Sequence, residues 1–123
     1  MDQQLLMAAE TDSAVMVRCV EACERCHRTC LRTAMTYCLE QAADRVDAAL
    51  FRSLLTCSDM CRATIDALLS GYESSEDVCA LCARVCTQCA DSCERHAELQ
   101  DCVEVCRACS LACIAVTGGS RPS

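Results

Sequence analysis

Large aromatic side chains are nearly absent from this chain of 123 residues, which has no Trp, one Phe and two Tyr. That length suffices for one domain with one core, so something other than aromatics must fill it. Proline occurs once, as Pro122, and glycine only at Gly71, Gly118 and Gly119. With so few breakers and abundant Ala and Leu, the chain reads as all-α. Lysine is missing too: the 11 basic residues are all Arg, against 18 acidic ones, for a net charge of −7. A nucleic-acid binder needs a basic stripe, and without one nucleic acid is not an expected partner. No apolar run reaches the ~18 residues of a membrane span. Met1-Asp2-Gln3-Gln4 has no basic leader, Leu5-Leu6-Met7 is too short for a signal core, and no twin Arg occurs. A cytoplasmic location is therefore expected, where thiols stay reduced.

What fills the apolar half of the composition is cysteine, present 16 times. The positions are Cys19, Cys23, Cys26, Cys30 and Cys38, then Cys57 and Cys61, then Cys79, Cys82, Cys86, Cys89 and Cys93, then Cys102, Cys106, Cys109 and Cys113. The steps alternate mainly between four and three, the spacing of one helix face. At about 100° per residue, Cys19, Cys23, Cys26 and Cys30 lie within roughly 60° of one another. Cys57 and Cys61 continue a stripe of Leu50, Leu54 and Leu68. Cys38 falls off the first stripe, beside Leu31 and Met35, and Tyr37 takes the stripe position.

These stripes predict an antiparallel up-down-up-down four-helix bundle with a Cys-lined core. The helices are expected over about 12–41, 44–70, 75–97 and 99–117. Gly71 is a natural stop, and Ser74-Ser75-Glu76-Asp77 is a natural start with acids in the first turn. Asp2 to Ala9 is expected as a short extra helix, and the tail 118–123 as flexible. One or two core cysteines would be small hydrophobes and nothing more. A core built mainly of them is a poor choice for stability, because Leu buries more apolar area at about 25 cal/mol per Å².

Residues four apart on a helix have Cβ atoms ~5–6 Å apart, so two thiolates there can grip one two-coordinate ion. Such pairs are Cys19/Cys23, Cys26/Cys30, Cys57/Cys61, Cys82/Cys86, Cys89/Cys93, Cys102/Cys106 and Cys109/Cys113. Soft thiolates suit Cu(I), Zn(II) and iron–sulfur clusters. Structural Zn(II) wants closed sets of four, and a continuous ribbon is not expected to divide into them. Bridging Cu(I) fits better, with about one ion per Cys, on the order of sixteen. An empty buried core holds neutral thiols. Loading then releases protons and stabilises the fold.

With these C-x-x-x-C pairs on all four helices, residues 12 to 117 resemble the four-helix-bundle copper storage proteins. The missing export signal resembles the cytosolic branch. The resemblance implies a store of many Cu(I) ions and a homotetramer of bundles; an unidentified Cu(I) donor or acceptor is the expected partner.

All sixteen cysteines and His96 are the candidate ligands. His96 follows Cys93 by three residues, and the resemblance favours a His at the mouth of the core. A solvated helix-end His is the plainer reading. His27 is expected at the surface, and Met16 and Met60 as core filler rather than ligands. Tyr37 is expected to cap the core. Leu31, Met35, Phe51, Leu55, Leu81, Val85, Leu111 and Ile114 lie off the stripes and suggest a subunit interface. The end carrying His96, Asp47, Cys38, Cys93 and Cys102 is the expected entrance. The opposite end, with Ile65, Leu68, Val116 and Cys19, is expected to be sealed.

Two other functions compete. C-x-x-C steps such as Cys23/Cys26 and Cys106/Cys109 would serve an iron–sulfur protein, but they are by-products of the repeat, and no ferredoxin-like run appears. A disulfide-stapled scaffold would need an oxidising compartment. An enzyme is not expected, because no general-base constellation is visible.

Overall fold

The computed structural model describes the backbone of residues 3–41 and 47–118, with side chains from residue 13 onward in those ranges. The elements are α1 (Gln3–Thr33), the π-helical segment Ala34–Gln41 that continues it, α2 (Ala48–Ser70), α3 (Ser75–Cys93), a 3-10 turn (Ala97–Leu99) and α4 (Gln100–Val116). Each helix packs on the next, and α1 also packs on α4, closing a ring around one core. Neighbours run antiparallel. Cys19 meets Cys113 and Cys26 meets Cys106 across α1 and α4. Ala83 meets Ser110 and Asp91 meets Arg107 across α3 and α4. Among the described residues no helix is long and apolar enough to cross a membrane.

Local chemistry sets the helix ends. Asp47 caps α2, its Oδ1 accepting from Ala49 N at 2.9 Å and Leu50 N at 3.3 Å, a bond type worth about 1 kcal/mol. Gly71 ends α2 at φ 73°, where a side chain would be strained. The Tyr72 N–H bonds Ala67 O and the Gly71 N–H bonds Leu68 O, which is a Schellman closure. Glu76 and Asp77 do sit in the first turn of α3, but Ser74 makes no side-chain cap bond.

Three boundaries differ from the sequence expectation. The N-terminal stretch is not a separate helix: from Gln3 onward it is the start of α1. α3 ends at Cys93 rather than about Ala97, and His96 is extended at φ −122°, ψ 112°. The buried Leu99 anchors the 3-10 turn that follows. The expected start of α2 near Asp44 and the tail 119–123 lie outside the described residues.

The π segment corrects the placement of Cys38. In an α-helix the eight residues from Cys30 to Cys38 make about 2.2 turns, which puts Cys38 off the stripe. The wider π turn brings the count back toward two whole turns. Cys38 is accordingly 1% exposed, inside the core. Thr36 Oγ1 donates to Arg32 O at 2.8 Å at the start of this segment, a back-bond of the kind that bends helices.

Candidate metal centre

The core is a column of sulfur. All sixteen cysteines are free and buried. Cross-helix Sγ–Sγ distances run through its length: Cys19–Cys113 3.6 Å, Cys23–Cys109 3.5 Å, Cys61–Cys109 3.7 Å, Cys57–Cys86 3.7 Å and Cys30–Cys106 3.6 Å. The register of the four helices does this, since each stripe faces the bundle axis.

The sulfurs form overlapping groups with all atoms within 4.8 Å of one another. These are Cys23/Cys61/Cys82/Cys109, Cys26/Cys30/Cys57/Cys106, Cys26/Cys57/Cys61/Cys86 and the trio Cys19/Cys23/Cys113. The groups share Cys23, Cys26, Cys57 and Cys61, so they overlap rather than partition the ribbon; interhelical register nevertheless gathers sulfurs in fours that spacing along one helix cannot reveal. Cys79, Cys89, Cys93, Cys102 and Cys38 lie outside these groups. Cys79 interacts electrostatically with Cys19 and Cys113, Cys89 with Cys106 and Cys30, and Cys93 with Cys102. The network is thus continuous.

Protons are unevenly held in it. Hydrogen bonds from Cys106, Cys26 and Cys30 hold the Cys57 thiol well below its usual range, against the opposing effect of burial. Hydrogen bonding with Cys113 and Cys23 does the same to Cys109. Cys30 is pushed up by its contacts with Cys102 and Cys106, with burial adding to them. Cys38 is pushed up by burial, then by Cys102 and Asp47.

At one end the core meets a polar cluster. His96 Nδ1 lies 3.3 Å from the Tyr37 hydroxyl, and the rings meet edge-on with centroids 5.9 Å apart. Tyr37 also donates to Glu98 Oε1 at 3.5 Å, and His96 Nε2 lies 4.0 Å from Asp47 Oδ2. His96 belongs to none of the sulfur groups, so the structure puts it beside Tyr37 and Asp47. The apolar contrast between the two ends does not hold as expected. Leu50, Leu54 and Leu99 are buried near His96, while at the far end Leu68 is buried and Ile65 and Val116 only partly so.

The remaining candidates sort by exposure. His27, expected at the surface, is half-buried, with Nδ1 2.6 Å from Ser58 Oγ on α2. Met60 packs against the core, whereas Met16 is exposed. Of the expected outer apolar face, Leu31, Met35, Leu81, Leu111 and Ile114 are exposed, whereas Phe51, Leu55 and Val85 pack against the core. Thr33 escaped the sequence reading: its Oγ1 accepts from Cys102 Sγ at 3.0 Å. Its place one heptad after Cys26 is the signal that could have found it.

Solved structures are similar in fold. A Nitrosospira multiformis protein is 37% identical, with a TM-score of 0.82, over 86% of this chain and 97% of its own. The cytosolic copper storage protein of Streptomyces lividans, solved with five coppers, is 35% identical with a TM-score of 0.78, over 89% of this chain and 98% of its own. Its structure loaded with 10 copper equivalents gives a TM-score of 0.77 at 35% identity, over 87% of this chain and 86% of that one. The sequence model of the copper storage protein family matches residues 8–118, and the chain belongs to that family.

Proposed function

We propose that this chain stores Cu(I) in the cytosol, in its core thiolates, at about one ion per Cys, on the order of sixteen ions. The observation that carries the reading is the continuous column of buried free thiols. The ligands are the sixteen cysteines, with His96 as a transient ligand at the mouth. Copper loaded in the Streptomyces lividans relative supports it. Each Cu(I) replaces thiol protons, so the filled core stays near neutral and avoids the cost of bare buried thiolates. The role is binding, not catalysis.

Copper enters and leaves at the His96 end. The support is polar: Asp47 attracts the cation, and an imidazole nitrogen holds Cu(I) less firmly than a bridging thiolate pair. Copies of the chain assemble into a tetramer through exposed apolar faces such as Leu81, Leu111 and Ile114. Anaerobic Cu(I) titration against a chromophoric chelator tests the central claim. It should plateau on the order of 12–20 ions per chain. A plateau at about one to four would make the chain a chaperone or regulator instead.

A further inference from the structure

A regular tetrahedron of sulfurs around Zn(II), with bonds of ~2.3 Å, has edges of about 3.8 Å. In the set Cys26/Cys30/Cys57/Cys106, five of the six edges measure 3.9, 3.6, 3.8, 3.6 and 4.0 Å. The sixth, Cys30–Cys57, is within 4.8 Å. A linear two-coordinate ion needs sulfurs roughly twice a metal–sulfur bond apart, on the order of 4.5 Å. These sulfurs are therefore spaced closer to a tetrahedral hole than to a linear bridge. We infer that, in the absence of copper, Cys26, Cys30, Cys57 and Cys106 form a closed tetrathiolate site for a tetrahedral divalent cation, Zn(II) foremost.

The donor set fits that ion and few others. Four thiolates with no open position match closed Zn(II) coordination, and the sulfurs come from three helices already fixed by their packing. The site binds the ion with little movement. Four thiolates and one divalent cation leave a charge of −2, which is costly in a buried place. Neighbouring thiols offset part of it. Cys86 lies 3.7 Å from Cys57, and Cys89 lies close to Cys106 and Cys30. Each can turn an S–H toward the set. The leftover charge also limits how many such ions the core takes. The alternative set Cys26/Cys57/Cys61/Cys86 shares Cys26 and Cys57 and cannot fill at the same time. The site stands on sulfur geometry alone, independent of how many Cu(I) ions the chain stores.

The test uses full-length, fully reduced protein under anaerobic conditions. Zn(II) at one equivalent is examined by X-ray absorption, and Co(II) serves as the optical probe. Four sulfurs around Zn(II) are expected, with the intense visible bands of tetrahedral Co(II) and sulfur-to-metal charge transfer. Cys106→Ser and Cys57→Ser should each weaken Co(II) binding at least about tenfold, with helicity checked by circular dichroism. Cys79→Ser, outside the set, should keep both the Co(II) spectrum and the affinity. Fewer than four sulfurs on Zn(II) in the unsubstituted protein would overturn the inference. So would equal Co(II) affinity in the unsubstituted protein, Cys106→Ser and Cys57→Ser.

Discussion

The middle of the core and its His96 end are built from the same helices, yet they offer metal different things. In the middle, α2 contributes Cys57 and Cys61, and every four-sulfur group contains at least one of them. Toward the His96 end the same face of α2 presents Leu50 and Leu54. There Cys38, Cys93 and Cys102 belong to no four-sulfur group, and Cys102 donates to the Thr33 hydroxyl. α2, the helix poorest in cysteine, therefore decides where dense sulfur stops. On the proposed function, the middle holds ions and the His96 end passes them.

This contrast sets the order of the effects expected. The largest is in thiol reactivity of the empty protein. Cys38, Cys93 and Cys102 lie near a short turn and a π segment, which open locally more often than mid-helix packing. They should react with iodoacetamide at least about tenfold faster than Cys26, Cys57 and Cys106, as mapped by timed alkylation and peptide mass spectrometry. Uniform rates would erase the distinction between the two regions.

A smaller effect separates admission from holding. His96→Ala should change the rate of copper loading or removal several-fold, roughly 1 kcal/mol of barrier, and leave capacity nearly intact. Stopped-flow transfer from a defined Cu(I) donor measures it, under conditions where ion transfer is limiting. Unchanged rates would leave His96 as a surface residue held by Tyr37 and Asp47. The smallest effect is in capacity. Cys57→Ser removes a sulfur with neighbours at 3.6, 3.7 and 4.0 Å and should cost about two or three ions, because each bridging thiolate serves more than one. Cys38→Ser, outside the sulfur groups, should cost about one at most. Equal losses would mean that sulfur density does not govern where copper sits.

Much of this contrast was legible in the sequence. The stripes gave four helices and an inward sulfur face because the 4–3 spacing admits only one period. Gly71 marked the end of α2 because a left-handed cap tolerates no side chain without strain. Cys38 was misread because stripe counting assumes about 100° per residue throughout, and no residue pattern announced the π segment. The early end of α3 was missed for a related reason: neither Gly nor Pro marks it, and the turn is anchored by tertiary burial of Leu99. The four-sulfur sets and the Ser58–His27 bond depend on the register between helices, which a single chain's periodicity does not encode.

Storage at about one ion per Cys requires copper along the whole length of the core. Anomalous diffraction at the copper edge, from crystals of the fully loaded protein, tests this most directly. The account predicts a column of copper sites running from Cys19 and Cys113 through Cys57 and Cys106 to Cys38 and Cys102, densest beside α2's two cysteines. Copper confined to one isolated site, or bound outside the bundle with the inner thiols empty, would contradict it.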